Sequence, residues 1–167
     1  MIESKYLKDS IHNIQKLFVI PALRKFETKN LGKMLRLSKI RQYKDSEIII
    51  KEGDTDPWFY FLLSGGVRIE KGGVTLGTIN KMGEVFGEMR ILDKLSRSAS
   101  VYAVGETICL AVNTAATHRI PSDDETANFL LLLYKVFAEY ISIRLRLTNE
   151  ELVETKKQLE ALTEKTK

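Results

Sequence analysis

The sequence predicts a mainly β protein with α elements: a closed antiparallel roll of short strands, helices before it and one long helix after it. Three observations predict this. Between residue 43 and about residue 113, short β-rich runs alternate with turn chemistry. Before that stretch, apolar residues recur at spacings of three and four. From Ser122 to Lys167 the chain carries neither glycine nor proline, and the helical spacing returns.

In the first region Tyr6, Leu7, Ile11, Ile14, Leu17 and Phe18 form the stripe of an amphipathic helix. Pro21 interrupts it, and Leu31, Met34, Leu35 and Leu37 predict a second short helix before Arg41-Gln42-Tyr43. The whole of residues 1 to about 42 therefore reads as helical.

The strand-like runs are Glu47–Ile50, Trp58–Leu63, Val67–Glu70, Val74–Ile79, Ala99–Val104 and Thr107–Val112. Turns are expected at Lys44-Asp45-Ser46, Gly53-Asp54-Thr55-Asp56-Pro57, Ser64-Gly65-Gly66, Gly72-Gly73 and Gly105-Glu106. Gly72-Gly73 suits a two-residue hairpin, whose turn positions need positive φ. Many short strands at such spacing predict a roll or sandwich.

In the last region Ser122 and Glu125 read as a capping box. A helix of about forty residues is about 60 Å long, more than a roll of about seventy residues covers. Leu131, Ala138, Leu145, Leu152 and Leu159 share one heptad position, and Tyr134, Ile141, Thr148, Thr155 and Leu162 lie three residues on. This is an a/d seam, so a homodimer through residues 131–162 is expected. In a parallel pair Glu151 faces Lys156 of the second copy.

Composition narrows the class. With 44% hydrophobic and 29% charged residues the 167-residue chain is that of an ordinary globular protein. The excess of 26 basic over 22 acidic residues gives +4, scattered rather than blocked, so no nucleic-acid arm is indicated. No apolar run is long enough to span a membrane, and the N-terminus lacks the apolar core of a secretory signal. The single cysteine, Cys109, excludes an internal disulfide, reads as a buried strand residue, and suits a cytoplasmic location.

The stretch from Gly83 to Val101 carries the chemistry. Gly87 permits a tight turn and close approach of a ligand to the backbone. Residues 88–92 form one helical turn in this reading, with free N–H groups that point at an anion. Arg97 offers a planar guanidinium suited to two phosphate oxygens, and Ser98 a hydroxyl donor. Glu88 accepts hydrogen bonds when ionised and suits a ligand hydroxyl. On residue types alone, Glu88 and Arg97 serve equally as a salt bridge at a roll corner.

Phe86-Gly87-Glu88 and Arg97-Ser98-Ala99-Ser100-Val101, nine residues from acid to arginine, resemble the phosphate-binding cassette of the cyclic-nucleotide-binding domain family. Glu52-Gly53-Asp54, Phe59–Gly65, Gly83, and Ile20-Pro21-Ala22-Leu23 are similar to other family marks, so the resemblance runs from about residue 20 to residue 150. It implies an antiparallel β-roll, jelly-roll-like, with Glu88 on the ribose 2′-hydroxyl. Arg97, Ser98 and amides near Gly87 and Met89 would hold the cyclic phosphate. Arg144–Glu150 resembles the base-capping stretch of the catabolite activator subfamily, which implies base contacts from Thr148 and Asn149 and a cAMP ligand, with cGMP as the alternative. Two positions depart from the pattern. Arg90 replaces a small residue and either adds a cation to the site or fills the pocket, and Ser96 replaces a proline.

The resulting expectation is a helical extension over 1–19, a ligand-binding roll over 20–121 and a dimerisation helix over 122–167. The chain ends where the activator subfamily continues into a winged helix-turn-helix, so direct DNA binding is not expected. An enzyme is not expected either. A metal-dependent jelly-roll enzyme needs clustered ligands, and only His12 and His118 exist; no nucleophile–base arrangement is visible, and no cofactor is implied. The expected role is a cyclic-nucleotide sensor signalling to an unidentified downstream protein through helix movement. The alternative is a ligand-independent interaction and dimerisation module.

Overall fold

The computed structural model describes residues 1–8, 15, 17, 18, 20–116 and 124–165. Ile11, Ile14, His12, His118 and the Ser122 cap lie outside the described residues. The chain divides into two compact units, Met1–Leu132 and Leu133–Lys167.

In the first unit the chain runs β1 (Ile2–Glu3), a 3-10 turn (Pro21–Lys25), α1 (Thr28–Arg36), β2 (Ser38–Tyr43), β3 (Ile48–Ile50), β4 (Trp58–Lys71), β5 (Val74–Ile79), β6 (Val85–Phe86), α2 (Met89–Asp93) and β7 (Ser100–Asn113). The last helix, α3 (Asp124–Lys165), starts there and supplies the described part of the second unit. Among the described residues the strands form one antiparallel system in the order β1-β2-β7-β4-β5, with β3 added to β7 and β6 to β4. This is the expected β-roll with a long C-terminal helix.

The roll is built on two 14-residue strands, β4 and β7, rather than on four shorter ones. Ser64-Gly65-Gly66 and Gly105-Glu106, read in the sequence as turns, are bulges within continuous strands, and the β4–β7 register shifts there. A Cβ on Gly65 would lie 2.3 Å from the Glu106 carbonyl oxygen, so the two bulges touch backbone to backbone. Gly72-Gly73 forms the expected hairpin, with φ of 56° and 80°.

The predicted helix up to residue 42 ends at Arg36 instead. Leu31, Met34 and Leu35 bury one face of α1, and the Ser38 hydroxyl closes its end by donating to the Met34 carbonyl at 2.6 Å. Ser38–Tyr43 is strand because every residue pairs with Val112–Thr107 of β7. Lys39, Arg41 and Gln42 favour helix locally, and this long-range pairing overrides them. Ile2–Glu3 is likewise strand, paired with Gln42 and Arg41.

Tyr43, Ile50, Tyr60, Leu62, Val67, Ile79, Phe86, Val101, Ala103, Cys109 and Ala111 fill the interior, with Trp58 packed beside them. A second apolar group lies under the helices, where Ile20, Leu23 and Leu31 are fully buried and Phe129 meets Phe26 edge-on at 6.3 Å. In the second unit α3 exposes Leu145, Leu152, Leu159 and Leu162. No helix among the described residues is long and apolar enough to cross a membrane.

Candidate functional site

The site is built where β6 leaves the sheet. Phe86 stacks on Tyr60 at 5.1 Å inside the roll, which fixes the point at which the chain turns. Gly87 then takes φ +78°, and a Cβ there would lie 2.8 Å from Ile50 Cδ1 and 3.1 Å from Arg97 Nη1. Only a residue without a side chain lets the backbone pass this close to the guanidinium. Glu88 follows, 97% removed from solvent at 3% exposure, and α2 carries Met89 and Arg90 outward. The turn closes at Lys94, in the left-handed conformation, and Leu95 N–H donates to Asp93 Oδ1 at 2.9 Å.

Arg97 returns the chain to the sheet. Its N–H donates to the Asp54 carbonyl at 2.8 Å, and its carbonyl accepts from Gly53 N–H at 2.9 Å. This clamps the cassette exit to the loop between β3 and β4. The guanidinium is buried and engaged on all three nitrogens. Nε and Nη2 donate to the Asp56 carboxylate at 3.0 and 2.6 Å, Nη1 donates to the Gly87 carbonyl at 2.6 Å, and Nη2 also reaches the Trp58 carbonyl. The arginine expected to hold phosphate thus has an internal carboxylate in its fork.

The other expected residues separate into two groups. Ser98 and Met89 are exposed neighbours, the hydroxyl 3.9 Å from the thioether sulfur, and the Ser98 carbonyl accepts from Lys71 Nζ at 2.7 Å. Arg90 leans on the same loop as Arg97, with Nη2 donating to the Thr55 carbonyl at 3.3 Å. Its Nε is buried without a hydrogen-bond partner among the described residues. Thr148 and Asn149 lie on α3 in the second unit, both exposed.

Sequence reasoning missed the carboxylate that holds Arg97. Asp56 lies in a stretch whose Gly, Asp, Thr and Pro already suffice for a turn, so nothing marked its acid as part of a site. It also missed the cluster of aromatic and cationic side chains around Trp58. Arg41 stacks on Trp58 at 3.9 Å and donates to the Tyr60 hydroxyl at 2.9 Å. Burial opposes the charge on Arg41, but Tyr60, Glu3 and Tyr43 around it outweigh this and raise its pKa. Burial also raises the Tyr60 and Tyr43 hydroxyls above their usual range. Among the described residues no group of three or more His, Cys, Asp or Glu side chains is placed to hold a metal ion.

A roll interrupted by a buried glutamate, a glycine turn and a buried arginine defines a class of ligand-binding domain, and sequence comparison agrees with that geometry. The profile of the cyclic nucleotide-binding domain matches residues 40–124, just over half of the chain, and the chain belongs to that family. It is similar to the cAMP-dependent protein kinase type II regulatory subunit of Drosophila melanogaster, 35% identical over 97 residues covering 56% of this chain and 25% of that protein. It is also similar to the cGMP-dependent protein kinase of Toxoplasma gondii, 32% identical over 81 residues covering 48% of this chain and 8% of that protein. The solved structure of the Thermus thermophilus Catabolite Activator Protein matches with a TM-score of 0.59 at 28% identity, covering 81% of this chain and 63% of that one. The chain spans less than a third of the length of the curated relatives it matches.

Proposed function

We propose that this chain is a cyclic-nucleotide sensor, with cAMP its preferred ligand and cGMP the alternative. The observation that carries the reading is the junction at Gly87. A buried glutamate follows it directly, and a buried arginine donates to its carbonyl, so both residues are anchored at one backbone turn. In this reading Arg97, Ser98 and amides near Met89 hold the cyclic phosphate, and Glu88 takes the ribose hydroxyl. Thr148 and Asn149 meet the base. The phosphate takes over guanidinium donors that Asp56 now occupies.

The remaining parts of the reading follow. Residues 1–19 are an extension, 20–121 the sensor and 122–167 a helix that pairs with a second copy. The apolar seam exposed at Leu145, Leu152, Leu159 and Leu162 supports that pairing. Ligand binding shifts the position of the helix to the extent that it favours one arrangement over the other, and a downstream protein reads the change. The chain has no catalytic activity of its own in this scheme, needs no cofactor, and works in the cytoplasm.

One observation favours a second reading. Every nitrogen of the Arg97 guanidinium already has a partner within the protein, as in a domain that keeps the roll without the ligand. Isothermal titration calorimetry with cAMP and cGMP separates the two, using wild type, Arg97→Ala and Arg90→Ala. The sensor predicts binding in wild type that Arg97→Ala weakens by about 2–5 kcal/mol. An absence of heat with either nucleotide in all three proteins leaves the interaction module. Binding seen only in Arg90→Ala assigns Arg90 as the residue that closes the pocket. Analytical ultracentrifugation of wild type and Leu152→Lys tests the pairing.

A further inference from the structure

Trp58, the only tryptophan in the chain, touches two arginines at once. Its ring carries the Arg41 guanidinium at 3.9 Å. Its backbone N–H donates to Asp56 Oδ1 at 3.2 Å, the oxygen that also accepts from Arg97 Nη2 at 2.6 Å. Its carbonyl accepts from the same Nη2. Two backbone groups of this residue therefore set where Asp56 and Arg97 meet, and its side chain is fixed by Arg41.

Arg41 is in turn fixed. Glu3 accepts from Arg41 Nε and from Lys39 Nζ, each at 2.5 Å, and Tyr6 stacks on the far ring of the cluster, 6.4 Å from Trp58. The strand that brings Glu3 there is tied along β2 by Ser4 N–H to the Ile40 carbonyl and Leu7 N–H to the Ser38 carbonyl, both at 2.9 Å. The Arg41 side chain is only 12% exposed, so it is a desolvated cation clamped between one carboxylate and one indole.

We propose that Arg41, held by Glu3, is a positioning residue for the anion site, acting on Arg97 through Trp58. This rests on the reading of Arg97 as the phosphate-holding residue. With its rotamer held between Arg41 and Tyr6, the indole anchors the backbone of residue 58, whose N–H and carbonyl meet Asp56 and Arg97. Arg41 touches neither.

The test uses the whole chain. Arg41→Met keeps the length of the stack and removes the charge, and Arg41→Lys keeps the charge and removes the planar fork. Calorimetry with cAMP is expected to show binding weakened about fivefold in Arg41→Met, the scale on which residues outside a contact alter a coupled site. Arg41→Lys is expected to recover part of it. Trp58 emission, read on the same samples, is expected to shift in Arg41→Met while the far-ultraviolet circular dichroism stays that of wild type.

A double-mutant cycle in urea, with Arg41→Met, Asp56→Asn and the pair, needs no ligand. Its two effects are expected to be non-additive, although the side chains make no contact. Unchanged cAMP affinity in Arg41→Met together with an additive cycle overturns the proposal and leaves the sensor reading standing. Absence of cAMP binding in wild type with a non-additive cycle overturns the sensor reading and the role at an anion site with it, and leaves only a structural coupling of Arg41 to Asp56 through Trp58. Absence of binding with an additive cycle removes both.

Discussion

Asp56 and Arg97 form a two-point ion pair, with Oδ2 3.0 Å from Nε and Oδ1 2.6 Å from Nη2. The arginine end is 2% exposed and the carboxylate end 36%, so the pair reaches from the interior of the roll to its surface. On the proposed reading, a phosphate entering from solvent would meet the acid first.

Asp56→Asn should therefore move stability and affinity in opposite directions. Removing the carboxylate leaves a buried guanidinium underpaired, at a cost of about 2 kcal/mol, below that of a fully buried pair. The same change releases the donors from a competing state, and cAMP affinity should rise about tenfold. Urea denaturation and calorimetry on the same protein check both. Equal affinity in wild type and Asp56→Asn would mean that phosphate uses donors Asp56 does not hold.

Gly87→Ala tests the closeness of the turn. The left-handed backbone costs an alanine about 1–2 kcal/mol. Its methyl also meets Arg97 Nη1 at 3.1 Å and Ile50 Cδ1 at 2.8 Å. The isoleucine end can swing aside, but the guanidinium is held by four acceptor groups. The expected result is a lower melting temperature and a loss of cAMP binding larger than stability alone explains. Retained affinity in the melted-down variant would show that the guanidinium yields freely.

Glu3 gives a pH signature. Burial alone would raise its carboxyl, but hydrogen bonds from Lys39 and Arg41 and their charges outweigh this and hold it below the ordinary 4.5. A depressed carboxylate contributes stability that is fully present above its unfolded value and is lost as pH falls through its folded value. Wild type should therefore exceed Glu3→Gln by about 1 kcal/mol above roughly pH 5, with the gap closing below roughly pH 4. Circular-dichroism melts of both proteins across this range supply the difference, and a pH-independent gap would exclude the ion pair as its cause.

Cys109 should be chemically silent while the roll is folded. It is fully buried in β7, and burial pushes its thiol up to about 12, against the opposing charge of Arg41. Only the thiolate attacks disulfide reagents, so at pH 8 the native protein should label no faster than it opens. One thiol should appear at once in urea. Fast labelling of the folded chain would place the sulfur at a surface.

How much of this is legible in sequence depends on the distance over which each feature is decided. The cassette is legible because Gly87, Glu88 and Arg97 lie within eleven residues and each is of an unusual type for its position. The hairpin at Gly72-Gly73 is legible for the same local reason. Ser38–Tyr43 is not, because its strand state depends on a partner about seventy residues away. The bulge at Gly65 looks like a turn until the Glu106 carbonyl is placed against it. Asp56 is hidden in a different way: its loop role is sufficient, and its second role exists only once Arg97 is folded beside it. Trp58 looks like an ordinary strand residue and Arg41 like part of a helix until strand pairing brings the guanidinium over the indole.

The pairing of Ser38 with Val112 also governs how the molecule is made. β7 supplies neighbours to β2, β3 and β4, so β3 waits for residue 102, β2 for residue 112 and β4 for residue 113 before its ladder with β7 is complete. Contacts of such long sequence separation slow folding. The nascent chain would hold the β7-facing edge of β4 bare until β7 emerges, a span in which wrong pairing is the competing reaction. A fragment ending before β7 should aggregate, however complete its cassette turn.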